Sequence, residues 1–336
     1  MNPTLLGASA DEIGAIARGM DEPDFRARQL CEWIYKKHAV DFDVMSNLPA
    51  NLRAILAEEY SVGRNPPQHE VASRDGTRKY LYGVGDGRHV EAAVIPDRER
   101  RTLCLSTQAG CRRGCRFCFT ARTAFAGNLS AGEIINQYSS SPERDAITNI
   151  VFMGMGEPLD NIDAVSKALD IFTADYAFAM SPTRLTVSTV GIIPALERYL
   201  CETRAHLALS LNSPFAEERA RLMPSEQENP IAEIVKILRD HDWTGQRRLT
   251  FEYIMFARLN GSEKHAEALA RLLRGLECRV NLIPFNTGEG MKLRPASAET
   301  IAAFQATLRK RGVRATIRKS KGADIAAACG QLVARR

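Results

Sequence analysis

From about residue 102 onward, the chain alternates between short apolar stretches and longer amphipathic ones, and this alternation restricts the fold more than any other feature. Six stretches have the length and apolar character of strands, and segments of helical periodicity separate them. They cover residues 103–107, 148–153, 184–189, 206–211, 249–255 and 280–284. Strands joined through helices pair in parallel. The sequence therefore predicts an α/β fold with a parallel sheet, followed by a seventh strand at 313–318 and a short terminal helix.

The first hundred residues are organised differently. Residues 1–60 carry apolar side chains at helical spacing, which predicts a small helical N-terminal domain. Residues 61–100 begin as a linker that contains glycine and proline, and they continue as two strands, 78–84 and 89–95, around a Gly-Asp-Gly turn. We therefore divide the chain into an N-terminal domain at 1–60, a linker with a β-hairpin at 61–100, and an α/β domain with a C-terminal extension at 101–336.

Three cysteines in one short loop provide the strongest chemical signal. Cys111, Cys115 and Cys118 have the spacing CxxxCxxC, with an aromatic residue directly before the last one. Three thiolates can hold three irons of a [4Fe–4S] cubane and leave the fourth iron free to bind S-adenosylmethionine. The alternative is a zinc site, which usually needs a fourth nearby ligand. No histidine or cysteine follows Cys118 before Cys201, so the spacing favours the iron–sulfur cluster.

Ligand-binding residues of parallel sheets collect at the carboxyl ends of the strands. Here the second strand runs into Gly156 and Glu157, where a glycine lets the backbone approach a ligand and a carboxylate can meet an ammonium group. Further candidates for cofactor binding follow later strands: Ser188, Ser210, Leu211, Asn212 and Asn286. A serine or asparagine at such a position is more often a cap or turn residue. The prediction rests on their common position, and we expect them to face one cavity.

The charge distribution indicates a polyanionic partner. The net charge is only +5, but residues 97–122 contain seven arginines against two acids, and residues 305–322 contain seven lysines and arginines and no acid. Such clusters are typical of proteins that bind nucleic-acid phosphates, although a single run of charge is more often a solvated face. The candidates for nucleic-acid contact are Arg100, Arg101, Arg318, Lys319 and Lys321.

Composition also limits the compartment. No apolar run approaches the roughly 18 to 20 residues needed to span a bilayer, and the first twenty residues have no apolar signal core. Eight cysteines, three of them clustered, fit a reducing compartment better than a disulfide framework. We expect a cytoplasmic enzyme that does not associate with membranes.

Two further cysteines stand out by their surroundings. Cys104 lies seven residues before the triad, and Cys329 lies near the C-terminus. Either could be an ordinary buried thiol, which is the commonest state of a free cysteine. Each, however, adjoins an arginine-rich segment that could lower the pKa of the thiol. The remaining cysteines, Cys31, Cys201 and Cys278, lack such a setting and are predicted to be structural.

Through nearly its whole length the chain resembles the RlmN/Cfr family of radical-SAM RNA methyltransferases. The specific segments are RTLCLSTQAGC at 101–111, the cysteine triad, MGMGEP at 153–158, NLIPFN at 281–286 and ACGQL at 328–332. The segment FRARQ at 25–29, with Trp33, resembles the family's N-terminal domain and suggests RNA contact there. The resemblance implies an incomplete radical-SAM (β/α)6 barrel with one [4Fe–4S] cluster, in which two molecules of S-adenosylmethionine are used for each methylation.

The resemblance also implies a reaction and roles for three residues. The family methylates an adenine in RNA, at carbon-2 in RlmN or carbon-8 in Cfr. Cys329 would carry the methyl group, and Cys104 would resolve the RNA–protein thioether by forming a disulfide with Cys329. Glu91 would remove the ring proton, and a solvated strand glutamate is the alternative for that residue. The implied partners are 23S rRNA, at the peptidyl-transferase-centre adenine, tRNA, at the adenine beside the anticodon, and an electron donor such as flavodoxin or ferredoxin.

The sequence departs from the family pattern at Asn212, where histidine is usual. MGMGEP at 153–158 is closer to RlmN, whereas residues 212–219 lean toward Cfr, so carbon-2 is the prediction and carbon-8 the first alternative. Other radical-SAM enzymes, such as methylthiotransferases, generally need further clusters, but the remaining cysteines are scattered singly. A non-enzymatic iron–sulfur module that binds RNA is the alternative outside catalysis. We expect a monomer.

Overall fold

The computed structural model describes residues 2–245, 247–288 and 290–334. The N-terminal region is helical, as predicted, with α1 at Ala10–Gly19, α2 at Phe25–Cys31 running into a π-helical turn at Glu32–Lys36, and α3 at Ala50–Glu59. Tyr35 from this region packs edge-on against Tyr176 and Phe178 of the α/β region. Its hydroxyl group donates to the carbonyl of Ala8 at 2.5 Å. The helical region is therefore held on the flank of the sheet by aromatic packing.

The main sheet has ten strands. The N-terminal ones are β1 at His69–Ala72, β2 at Arg78–Val84, β3 at Arg88–Asp97 and β4 at Arg100–Cys104. A separate two-stranded pair, β5 at Gln108–Ala109 and β6 at Gly127–Asn128, follows β4. The sheet then continues with β7 at Asn149–Phe152, β8 at Leu185–Thr189, β9 at His206–Ser210, β10 at Leu249–Met255, β11 at Cys278–Pro284 and β12 at Arg314–Ile317.

The parallel part of the sheet contains seven strands in the order β4-β7-β8-β9-β10-β11-β12. The six predicted strands are all present, and the predicted seventh, now β12, extends the same sheet. β4 lies about three residues earlier than predicted. After Cys104, the N–H of Leu105 still donates to the carbonyl of Val151 at 3.0 Å, and the N–H of Ser106 donates to the Oε1 of Gln137 at 2.8 Å.

The predicted hairpin of β2 and β3 is also present, but it does more than link two regions. β3 pairs antiparallel with β4, with Ala93 opposite Cys104, so the hairpin and β1 extend the main sheet. Glu91 on β3 is only 2% exposed as a result. The alternative of a solvated strand glutamate is therefore wrong.

Helices cross between the parallel strands: α4 at Ala131–Ser139, α5 at Ile162–Thr173, α6 at Ile193–Glu202, α7 at Ala216–Leu222, α8 at Ile231–Asp240, α9 at Glu263–Leu272 and α10 at Ala298–Lys310. The Ser130–Glu133 capping box begins α4, and Pro230 directly precedes α8. Within the residues that the structure describes, no helix is long and apolar enough to cross a membrane.

The predicted short terminal helix is wrong. The segment after β12 forms a single 3-10 turn at Ala323–Ile325. Gly322 and Ala326, which flank that turn, both have left-handed backbone conformations, with φ of 66° and 51°. A right-handed helix cannot continue through such residues. The chain instead folds back, so that Cys329 and Gly330 reach the loop of the cysteine triad.

Candidate active site

A cavity opens at the carboxyl ends of the parallel strands, and we call it the barrel cavity. Ten of the predicted site residues line it: Cys111, Cys115, Cys118, Gly156, Glu157, Ser188, Ser210, Asn212, Arg318 and Cys329. Asn286 lines a smaller adjoining cavity that shares Cys329 and Arg318 with the first. Leu211 is fully buried behind the wall. The expectation that the strand ends face one cavity is therefore met for most of the predicted residues.

The triad lies on a loop that is anchored at both ends. The backbone N–H of Arg116 donates to the carbonyl of Leu222 at 2.9 Å, and that of Phe119 donates to the carbonyl of Gly330 at 2.8 Å. Gly110, directly before the first cysteine, has a φ of 81°, and a Cβ there would lie 2.3 Å from the Ala124 carbonyl. The loop conformation thus depends on glycine and on contact with the C-terminal segment.

Burial disfavours the thiolate form of two triad cysteines, Cys111 and Cys115. It raises the pKa of Cys111 to about 12 and that of Cys115 well above its ordinary value. Ligation by iron must therefore release protons. Among the described residues, no three Cys, His, Asp or Glu side chains converge where one metal ion could bind them. A zinc site needs such convergence, whereas in a cubane each thiolate binds its own iron.

Glu157 presents a buried carboxylate to the cavity. Its Oε1 accepts the hydroxyl of Thr189 at 2.5 Å and the backbone N–H of Leu159 at 3.0 Å, and its Oε2 accepts the N–H of Val190 at 2.9 Å. Burial outweighs these bonds and raises the pKa of Glu157 to about 7. A positive group bound beside it would stabilise the ionised form. Glu157 is therefore suited to hold an ammonium group.

Asn212 lines the cavity and also forms hydrogen bonds that hold neighbouring segments together. Its φ of 60° lies in the left-handed region that asparagine tolerates well. Its Oδ1 accepts the backbone N–H of Ile254 at 2.8 Å, and its carbonyl accepts the side-chain amide of Asn260 at 2.8 Å. The acceptor of the side chain is thus partly used within the protein.

Two cysteines outside the triad, Cys104 and Cys329, interact electrostatically with Arg318. Cys104 is buried at the end of β4 beside Ala93 and Ala327, and Cys329 is half-buried on the wall of the barrel cavity. Burial, and secondly the nearby Cys329, raise the pKa of Cys104 to about 12, although Arg318 opposes the shift. The expectation that adjacent arginines lower this pKa is therefore wrong for the free protein, because desolvation is the larger effect.

Glu91 does not line the barrel cavity. Its carboxylate pairs with Lys79 at 3.0 Å and accepts the backbone N–H of Val333 at 2.9 Å. The proposed base is thus close to the C-terminal segment that bears Cys329, but it is occupied by other partners.

Comparison with known proteins decides the family. Residues 3–62 match the profile of the ribosomal RNA large subunit methyltransferase N-terminal domain, and residues 105–273 match the radical SAM superfamily. A probable dual-specificity RNA methyltransferase RlmN from Bacteroides thetaiotaomicron is 48% identical over 98% of this chain and 95% of its own length. The dual-specificity RNA methyltransferase RlmN from Syntrophotalea carbinolica is 42% identical, over 98% and 89% respectively. The chain belongs to the RlmN family.

A solved structure supports the same assignment. A radical SAM methyltransferase from Sphaerobacter thermophilus has a TM-score of 0.93 and 39% identity, with 99% of this chain and 100% of that chain covered. The predicted radical-SAM fold is confirmed, and so are the predicted cofactors, a [4Fe–4S] cluster and S-adenosylmethionine. The three thiols on one wall and the buried carboxylate of Glu157 are a donor set that fits both.

Two residues at this RlmN-family site are not among those predicted from the sequence. Glu252, on β10, is 6% exposed and lines the barrel cavity. One of its oxygens accepts the amide of Asn281 at 3.0 Å, and the other is buried without a partner. Burial raises its pKa. The available signal was a lone acid inside the apolar strand 249–255, on the face that turns toward the cavity.

The second such residue is Arg219, which is fully buried. Its guanidinium donates to the carbonyls of Val190 at 2.8 Å, Ser210 at 3.1 Å and Leu211 at 3.1 Å, and it pairs with Glu226. These carbonyls belong to the ends of β8 and β9 and the loops that follow them. Arg219 therefore fixes the strand ends that form one wall of the cavity.

Replacing Arg219 by methionine is expected to lower the free energy of unfolding by about 3–5 kcal/mol, because Glu226 is left buried without its partner. Urea denaturation followed by tryptophan fluorescence would measure the change. Arg198 is the matched control, since its ion pairs with Asp163 and Glu202 are on the surface. Arg198→Met should change stability little. Equal losses in the two variants would contradict the role assigned to Arg219.

Proposed function

We propose that this RlmN-family protein methylates carbon-2 of an adenine in RNA through a methyl group carried on Cys329. The observation that carries the proposal is that Cys329 and the cysteine triad line one cavity, with Cys104 close behind it. An RNA substrate is supported by the relatives described above as dual-specificity RNA methyltransferases.

The chemistry of the target explains why such a site is needed. Carbon-2 of adenine lies between two ring nitrogens and is electrophilic, so it does not attack a methyl sulfonium as an amine would. The [4Fe–4S] cluster and S-adenosylmethionine, when bound, supply a carbon radical that can remove a hydrogen atom. Cys111, Cys115 and Cys118 would hold the cluster, and Glu157 would hold the ammonium group of the cofactor.

The protein's own residues would then complete the transfer. A methylene radical on the sulfur of Cys329 would add to the adenine ring, and the ring radical would lose one electron to the oxidised cluster and the ring proton to a base, which leaves a thioether between RNA and protein. The thiolate of Cys104 would then attack the sulfur of Cys329 to form a disulfide, and the released carbon would take up a proton to become the methyl group of the base. Glu91 is proposed as the base. It could act only after its contact with Val333 is released, which requires the C-terminal segment to shift.

Basic residues near the mouth of the cavity support RNA binding. A large open groove between β4 and the end of β12 is lined by Arg98, Arg100, Arg318, Lys319 and Lys321. Arg101, a further candidate, faces Glu143, with 3.7 Å between the charged atoms, and does not line that groove. Target bases in RNA loops can leave their stack at low cost and enter such a cavity.

The proposed partners are the peptidyl-transferase-centre adenine of 23S rRNA, the adenine beside the anticodon of tRNA, and an electron donor such as flavodoxin or ferredoxin. The proposed state is a cytoplasmic monomer. We propose that the protein has three structural units, residues 1–60, 61–100 and 101–336.

Two of the candidate RNA-contact residues, Lys319 and Arg100, are exposed and available to an RNA partner.

The position of the methyl group is the most discriminating test. The reconstituted protein would be incubated with reductant, S-adenosylmethionine and rRNA or tRNA fragments, and the nucleosides would be analysed by mass spectrometry and NMR. The expected product is 2-methyladenosine. Formation of 8-methyladenosine would overturn the regiochemistry, and an unmodified RNA together with formation of 5′-deoxyadenosine would overturn the RNA substrate.

A further inference from the structure

A group of arginines lies at the opposite end of the barrel from the site described above. Arg248 directly precedes β10, Arg279 lies near the start of β11, and Arg314 and Arg100 begin β12 and β4. All four line one cavity at the amino ends of the parallel strands, and all four are exposed. We call them the amino-end cluster. Arg100 also lines the groove proposed above for RNA binding, whereas Arg248, Arg279 and Arg314 have no role in the proposed reaction.

The charges of this cluster are not balanced within the protein. Arg279 and Arg314 are directly opposite each other on neighbouring strands, an arrangement in which like charges are destabilising. No member of the cluster forms an ion pair with any acid that the structure describes. Glu277 is the one acid among the described residues that line the cavity. An arrangement of this kind is stabilised when an external anion binds.

The histidine in this cavity does not change the positive charge of the amino-end cluster. His206 lines the same cavity, and burial together with Arg248, Arg247 and Arg279 lowers its pKa to about 4. It is therefore neutral at physiological pH. The positive charge of the cavity therefore comes from its arginines over the whole pH range in which RNA is stable.

The amino-end cluster is connected to the active site through adjoining cavities lined mostly by basic residues, with Asp97 and Glu99 as the acids that line the groove between β4 and β12. Cys329 shares a small cavity with Lys319 and Lys321. These two lysines line the open groove between β4 and β12 together with Arg100. Arg100 in turn lines the cavity of the amino-end cluster. An extended polyanion that enters at Cys329 could thus follow positive charge along the side of the barrel to its far end.

We infer that the amino-end cluster is a second phosphate-binding surface, which holds the RNA backbone that leads away from the target base. The inference rests on the proposed RNA substrate and extends it. Arginine guanidinium groups bind phosphate oxygens in a bidentate manner. An arginine that has no ion pair within the protein can bind a phosphate without first breaking such a pair. The distance sets a length requirement: the seven residues of β10 span about 20 Å at roughly 3.3 Å per residue. Only an RNA that extends well beyond the target loop reaches the cluster.

The test compares two RNAs and three proteins by fluorescence anisotropy. The short RNA is a hairpin with the target loop, and the long RNA carries the same loop on an extended stem. The test variant is Arg248→Ala/Arg279→Ala/Arg314→Ala. The control variant is Arg18→Ala/Lys167→Ala/Arg198→Ala, which removes the same number of positive charges from cations that are already paired with acids.

The long RNA is expected to bind the test variant about tenfold or more weakly than it binds wild type at low salt, with a salt slope reduced by about two. The short RNA should bind wild type and both variants alike. Equal affinity of the test variant and wild type for the long RNA would overturn the inference, and so would an equal loss in the control variant. Ethylation interference with wild-type protein gives a second measurement that needs no variant. In the long RNA, ethylation of phosphates beyond the loop is expected to prevent binding.

Two further outcomes separate this inference from the proposed function. If wild type binds neither RNA, the RNA substrate itself is wrong. If the test variant binds the long RNA normally but is reduced more slowly by an acidic electron-transfer protein, the surface belongs to a protein partner and the RNA inference is overturned.

Discussion

Replacing Cys329 by alanine is expected to abolish methylation of RNA while the iron content and the reductive cleavage of S-adenosylmethionine remain close to those of wild type. The sulfur of Cys329 would carry the transferred carbon, and alanine offers no atom to replace it. Cys329 is not one of the triad thiols, although it lines the same cavity. This variant should therefore cleave S-adenosylmethionine without methylating RNA.

The measurement is a paired one, with methylated adenosine and 5′-deoxyadenosine quantified from the same incubation. Cys201 is the matched control, because it is an exposed cysteine at the end of α6. Cys201→Ala should make both products as wild type does. Methylation by the Cys329→Ala variant at the wild-type level would exclude a methyl carrier at this position.

Replacing Cys118 by alanine is expected to have a broader effect, the loss of iron, of 5′-deoxyadenosine formation and of methylation together. The cluster depends on three thiolates, and two are too few to keep three of its irons bound. Cys118 is half-buried on the cavity wall and its N–H donates to the carbonyl of Cys115 at 3.1 Å. The substitution removes one sulfur and leaves this backbone contact possible.

Iron and sulfide analysis after anaerobic reconstitution would measure that loss, and Cys201→Ala again serves as the control. The contrast with Cys329→Ala is the informative part, since Cys329→Ala should retain full iron. A Cys118→Ala protein that still holds four irons per chain and cleaves S-adenosylmethionine would show that the cluster is bound elsewhere.

Much of the fold could be predicted from the sequence, because the alternation of strand and helix is a local signal. Strand β10 has the predicted bounds, 249–255, and its apolar run begins directly after Arg247 and Arg248. β4 begins earlier than the apolar pattern predicts because Arg100 and Arg101 pair with Asp97 and Pro96 of β3. The terminal helix failed because Ala326 adopts a left-handed conformation that no propensity would assign to alanine.

The candidate site could likewise be predicted from the sequence only in part. The triad and the strand-end residues follow from spacing and from the geometry of parallel sheets. Arg219 could not be recognised, because its importance comes from burial by elements distant in sequence, and Glu252 had only the weak signal of a lone acid in an apolar strand. The pKa of Cys104 was expected to fall because arginines are close in sequence, but burial, which sequence proximity does not report, raises it. Long-range burial is thus the physical information that the sequence conveys least.

The covalent state of Cys329 in a Cys104→Ala variant tests the central claim most directly. Without the resolving thiol, the RNA–protein thioether cannot be released, so incubation with RNA should accumulate a covalent adduct. After digestion with ribonuclease and protease, mass spectrometry should find the peptide that contains Cys329 with an adenosine attached through one carbon. A Cys104→Ala protein that methylates RNA normally and yields only unmodified Cys329 would contradict the account.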